Sequence, residues 1–252
     1  MRSSLFAFMC VITLIMAAAS QATPGGDDYA DDGGQLRQGR TDCNGNGVAD
    51  EDEMHPLPGH ALVFDGDGDY VNPGASTALA ELGQGDFTIE AWIRTDDPGH
   101  AILVGNAGSA SRLYNFVIRG HDEGGVIRLR TADGTTSHIC DGAVAINDGA
   151  WHHVAASRWI NGPGCIRLYV DGEETAVCWG DFDMTPFTAD NATLIGRDQQ
   201  ASPHYFNGAM DEVRVWNVGR FRDDIHADMY RVLDGDEPGL VAYWRFRGLG
   251  RS

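Results

Sequence analysis

The sequence predicts an all-β fold, an antiparallel two-sheet sandwich with one short helix at its rim. Three observations predict it. From Ala61 to Phe246 short apolar segments alternate with polar residues at period two. Gly and Asp break these segments at short intervals, and 33 glycines favour strands joined by tight turns. Long helical patterns are scarce, and the one clear instance, Arg222 to Val232, places Ile225, Met229 and Val232 at helical spacing.

The chain opens on Arg2 and an unbroken apolar run, Leu5 to Ala18. Ala19-Ser20-Gln21-Ala22 then supplies small residues where a signal peptidase reads, so residues 1–22 are expected to be a secretory signal cut after Ala22. The run is short of the roughly 20 apolar residues that span a bilayer. Cys10 lies mid-run behind Phe8 and Met9, which does not fit a lipoprotein signal. The expected location is secreted, extracellular or cell-surface, with the periplasm as an alternative and no membrane insertion after cleavage.

The net charge is −19 and becomes one more negative once Arg2 leaves; the chain contains no lysine. So acidic a surface repels phosphate backbones and anionic membranes, so no nucleic-acid partner is expected. Residues 23–58 form an acidic stalk with little to bury, closed by Pro56 and Pro58. The sandwich occupies 59–248, enough residues for a full core.

The strand assignments follow the alternation. In Phe87–Arg94, Phe87, Ile89, Ala91 and Ile93 share one face and Thr88, Glu90, Trp92 and Arg94 the other. Cys165–Val170, Met210–Trp216 and Val241–Phe246 alternate likewise. Further strands are expected at 61–65, 101–104, 114–119, 126–131, 152–158, 174–179 and 192–196.

Val170-Asp171-Gly172-Glu173 reads as a two-residue hairpin. Continued without interruption, its register sets Cys165 opposite Cys178 at a non-hydrogen-bonded pair, where side chains approach most closely. A Cys165–Cys178 disulfide is therefore expected, in keeping with export. Cys43 and Cys140 then either pair with each other or stay free.

Counted from Asp42 as position 1, the stalk places Asn44 at 3, Asn46 at 5, Gly47 at 6, Val48 at 7, Asp50 at 9 and Glu53 at 12. Calcium wants six to eight oxygens, and this spacing supplies them. Asp42, Asn44 and Asn46 give side-chain oxygens, Val48 its carbonyl, Asp50 a direct or water-borne contact, and Glu53 two oxygens. Calcium is thus the expected cofactor. The segment resembles an EF-hand loop, or a thrombospondin type 3 or dockerin-like repeat. No amphipathic helix flanks it, so it reads as a brace, with the weak affinity of extracellular modules, about 10⁻⁴–10⁻³ M.

Six segments follow one another in a characteristic order: 61–71 (ALVFDGDGDYV), 87–94 (FTIEAWIR), 151–155 (WHHVA), 168–172 (LYVDG), 206–216 (FNGAMDEVRVW) and 239–246 (GLVAYWRF). The set resembles a laminin G-like, concanavalin A-like jelly roll over residues 60–247. The resemblance implies two curved antiparallel sheets with the first and last strands side by side. It also implies a domain that binds carbohydrate or protein ligands, often with calcium at a loop rim; fold alone does not choose between them.

If that layout holds, Asp65, Asp67 and Asp69 share a second calcium with Asp211 and Glu212; the other reading of FDGDGDY is a solvated acidic turn. Tyr205 and His204, before Phe206, are candidate rim contacts for a ligand. No catalytic residue is assigned. Adjacent strand residues Asp211 and Glu212 point to opposite faces, unlike the facing carboxylates of a glycosidase, and His152 and His153 alternate in the same way. Neither G-x-S-x-G nor HExxH occurs. Most of the six tryptophans are expected to pack, with Trp159 and Trp179 near loops beside the hairpin. The function expected is a secreted, non-catalytic module for glycans or extracellular proteins. The alternatives are a glycan-active hydrolase or lyase, and a structural surface or matrix protein.

Overall fold

The structure, a computed structural model, describes residues 61–106, 112–160, 164–179, 188–189, 191–199 and 204–246. The expected signal at 1–22, the stalk with its calcium loop at 42–53, and Cys43 lie outside them. Among the described residues no helix is long and apolar enough to cross a membrane.

Two antiparallel sheets face each other, as the alternation predicts. The strands are β1 (Leu62–Asp65), β2 (Phe87–Arg94), β3 (Ala101–Gly105), β4 (Arg112–Ile118), β5 (Val126–Asp133), β6 (Ser137–Ala145), β7 (Trp151–Trp159), β8 (Cys165–Val170), β9 (Glu173–Trp179), β10 (Leu194–Ile195), β11 (Asn207–Trp216) and β12 (Leu240–Trp244). One sheet runs β1-β11-β2-β7-β8-β9 with β12 also on β11; the other runs β10-β3-β4-β5-β6. Phe87, Ile89, Ala91 and Ile93 enter the core between the sheets, against Tyr114, Phe116, Leu129 and Ile166. Strand β6 was not foreseen. Its inward residues include His138 and Cys140, and Asp141-Gly142 interrupts the apolar pattern.

The first and last strands are not side by side. β1 pairs with residues 207–210 of β11 and β12 with 213–216, so they lie end to end along one flank of β11. A one-residue bulge separates the halves against β2, and there Glu212 takes a left-handed φ of 51°.

The outer face of β2 is buried too, because helix α2 (Arg222–Asp228) and the turn after it cover it. The short helix α1 (Thr77–Ala80) lies far from it in the chain, capped by Ser76. Helix α2 stops four residues before the expected end, although Met229 is still buried. Its cover is polar. Glu90 accepts from Trp216 Nε1 at 3.0 Å and Arg220 Nη1 at 3.1 Å, while Arg214 Nη1 donates to the Asp228 carbonyl at 2.9 Å. Trp92 Nε1 donates to the Met229 carbonyl at 2.8 Å. Buried charges of this kind are tolerated only when paired, and here each cation has a carboxylate.

The hairpin turn forms as expected, with Asp171 and Gly172 at φ 52° and 78°. The disulfide does not. A bulge between Leu168 and Tyr169 shifts the register by one, so Cys165 faces Trp179 and Cys178 faces Ile166. A one-residue slip turns a side chain to the other face. Cys178 thus points into the core and bonds Cys140 of β6 in the opposite sheet, while Cys165 stays a buried thiol.

Candidate functional site

A polar, aromatic rim site lies where β10 meets the approaches to β1 and β11. Val71 and Ile195 exchange backbone hydrogen bonds at 2.9 and 3.0 Å, closing the loop after β1 onto β10. Gly196 follows at φ 86°, and a Cβ there would stand 2.6 Å from the Phe64 ring, so the turn requires glycine. Arg197 then forms an antiparallel bridge with Tyr205.

This geometry brings Tyr70 and Tyr205 to either side of Arg197. The guanidinium lies 4.8 Å from the Tyr70 centroid and 5.2 Å from that of Tyr205. Arg197 Nε donates to the Asp198 carbonyl at 2.8 Å and Nη1 to the Tyr205 hydroxyl at 3.3 Å. A shallow groove of about 300 Å³ runs beside it, lined by Tyr70, Asn72, Ala192, Leu194, Arg197 and Gln199. Asp198 is buried and accepts from His204 twice, from the backbone at 3.2 Å and from Nδ1 at 3.0 Å. The His204 ring meets His100 edge-on at 4.9 Å. Burial, helped by His204 and Arg128, holds His100 below its usual pKa and favours the neutral ring.

The structure places Tyr205 and His204 beside this groove, Tyr205 against Arg197 and His204 against Asp198. Tyr70, Arg197, Asp198 and His100 were missed as site residues. Tyr70 stood in the quoted FDGDGDY segment, but nothing in the sequence signals that Arg197, 127 positions on, would stack on it.

The acidic residues do not converge on one cation. Asp65 lies opposite Asn207, four residues before Asp211 on β11, which is roughly 13 Å along a strand. Asp65 Oδ1 accepts from the Asp67 backbone at 2.8 Å and Asp69 Oδ2 from the Asp65 backbone at 3.3 Å, the bonds of a self-contained turn. Asp211 is buried and accepts from the backbones of Glu212 and Phe246 at 2.8 and 3.1 Å. Burial raises its pKa against the pull of those two amides. Glu212 is occupied by Arg214 at 2.9 Å, Arg245 at 3.0 Å and the Tyr243 hydroxyl. The shared second calcium site is thus not formed by these five residues.

Fold and rim together define a lectin-type sandwich: two antiparallel sheets with a polar, aromatic groove at one end. The chain belongs to the concanavalin A-like lectin/glucanases superfamily, whose laminin G-type family model matches residues 65–226. Among solved structures, a Ruminococcus gnavus sialidase carbohydrate-binding module of family 40 is similar at TM-score 0.55 and 17% identity, over 68% of this chain and 97% of that one. The same module bound to α2,3-sialyllactose matches at TM-score 0.54 and 16% identity, over 66% and 95%. A candidate carbohydrate-binding protein of Bacteroides ovatus matches at TM-score 0.52 and 21% identity, over 73% of this chain but only 48% of that one. A curated rat protein, the sushi, von Willebrand factor type A, EGF and pentraxin domain-containing protein 1, is 28% identical over 79 residues, 29% of this chain and 2% of that protein.

Proposed function

We propose that this chain is an exported, non-catalytic glycan-binding module whose rim groove takes the sugar. The observation that carries the proposal is the Arg197 guanidinium held between the Tyr70 and Tyr205 rings beside the Asn72 and Gln199 amides. A sugar offers hydroxyls for such donors and a C–H face for a ring. Arg197 has no carboxylate partner among the described residues. It is therefore free to meet an acidic sugar, and the sialyllactose bound by the similar R. gnavus module is the natural first probe.

Export is supported by the N-terminal pattern and by a disulfide inside the domain, a bond that persists in oxidising compartments. The calcium brace at Asp42–Glu53 rests on ligand spacing alone. A glycan array probed with the full mature chain, with and without calcium, tests the function. Retention of specific glycans without product release is expected. Release of cleaved sugar would replace this reading with the hydrolase, and silence across acidic and neutral glycans would leave the structural role.

A further inference from the structure

A second aromatic arrangement lies on the outer face of the β7-β8-β9 edge. Trp159, Cys165 and Trp179 stand abreast on the three strands, so their side chains share that face. Arg167, two residues along, places its guanidinium 5.3 Å from the Trp179 centroid and 5.5 Å from that of Phe221. Phe221 in turn lies 4.3 Å from Trp159 with the rings inclined by 31°. The stack is preset. A Cβ at Gly219 would stand 2.5 Å from the Trp159 ring, so only glycine lets the ring lie there. Yet Trp179 is 59% exposed and Phe221 50%, where large rings normally hide.

We propose that this stack is a second, independent carbohydrate face, taking a neutral pyranose. Its C–H side would lie on Trp179 and Phe221, and its hydroxyls would bond Arg167 and Glu174. Two observations select this occupant. The first is size. With roughly 150–250 Å² per aromatic side chain, the exposed parts of the two rings offer on the order of 200 Å². A stable protein interface needs about 800 Å² per partner. The second is charge. Arg167 is ion-paired with Glu174, so the patch carries donors and acceptors without net charge. That suits a neutral sugar, whereas Arg197 at the rim has no such partner among the described residues. The two faces are also separate: β9 and β1 are opposite edges of the sheet, five strand spacings or roughly 24 Å apart.

The test uses the ¹⁵N-labelled full mature chain and its six indole N–H resonances, titrated with cellohexaose, xylohexaose and chitohexaose. The Trp179 resonance is expected to shift saturably with at least one of them, with Kd on the order of 1 mM. Trp179→Ala should remove that resonance and, by ligand-observed saturation transfer, weaken binding at least tenfold. Arg167→Ala should weaken the Trp179 shift at least tenfold, and Arg197→Ala should leave it within twofold. A Trp179 resonance unmoved by all three sugars overturns the proposal, as does a shift that disappears in Arg197→Ala. Failure of the rim reading looks different: sialyllactose is not retained while the Trp179 shift persists.

Discussion

Cys140 and Cys178 join the two sheets, their Cα atoms 5.6 Å apart on β6 and β9. The bond closes a loop of 38 residues across the sandwich. The chain-entropy estimate for such a loop is about 4 kcal/mol. Cys178→Ser is expected to lower unfolding free energy by about that amount in a denaturant titration. Non-reducing peptide mapping should find Cys140 linked to Cys178, and Cys165 alkylated only after unfolding. A Cys165–Cys178 peptide would restore the unbulged hairpin and refute the register described.

Gly196 holds the rim turn at a left-handed φ above the Phe64 ring. Gly196→Ala should destabilise the domain by roughly 1–3 kcal/mol through backbone strain and displacement of that ring. Gly68, also left-handed but with open space around it, is the control: Gly68→Ala should cost less than half as much in the same thermal or denaturant assay.

His153 is fully buried beside Glu90, edge-on to Trp92 at 5.5 Å. Burial, reinforced by Arg214 and Arg220 against the pull of Asp171, pushes its pKa down to about 3. The unfolded chain therefore binds one more proton than the folded chain between the ordinary histidine value near 6.5 and about 3. Its contribution is complete above 6.5 and is lost as pH falls through that window, by up to ~1.4 kcal/mol per pH unit. His152 works the other way. Its bond to Asp171 raises its pKa, so its contribution is present below the ordinary value and lost as pH rises through the raised one. His153→Leu should flatten the fall in unfolding free energy between pH 6 and pH 4 by about one proton's worth; an unchanged slope would show that His153 is not held neutral.

Calorimetry tests the stalk. One calcium is expected to bind with Kd about 10⁻⁴–10⁻³ M, and Glu53→Gln should weaken it at least tenfold by removing the bidentate carboxylate. Uptake unaffected by that change would remove the loop assignment.

Much of the fold was legible because a strand with one face in a core must alternate. Phe87, Ile89, Ala91 and Ile93 announced β2 in this way, and Asp171-Gly172 announced its turn. What the sequence concealed follows from single-residue events. A bulge on β8–β9 reversed the facing of Cys178, and the β1–β11 register, which sets Asp65 opposite Asn207, left Asp211 four residues from the turn it was expected to join. β6 was hidden because its inward side chains are a histidine and a cysteine. The rim site was half visible for a similar reason: Tyr205 and His204 stood before a recognisable strand. The Tyr70–Arg197 contact, by contrast, depends on a single bridge between Val71 and Ile195, which no local pattern encodes.

Arg197, held between Tyr70 and Tyr205, is the proposed anchor of the glycan groove. The most direct measurement is calorimetric titration of α2,3-sialyllactose and lactose into the mature wild-type chain, Arg197→Lys and Arg197→Ala. Lysine keeps the charge but loses the planar fork and its stacking. Wild type is expected to bind sialyllactose saturably and lactose more weakly, Arg197→Lys to lose at least tenfold in affinity, and Arg197→Ala to show no detectable binding. Equal affinity for sialyllactose in wild type and Arg197→Ala, or no binding of either sugar by wild type, would contradict it.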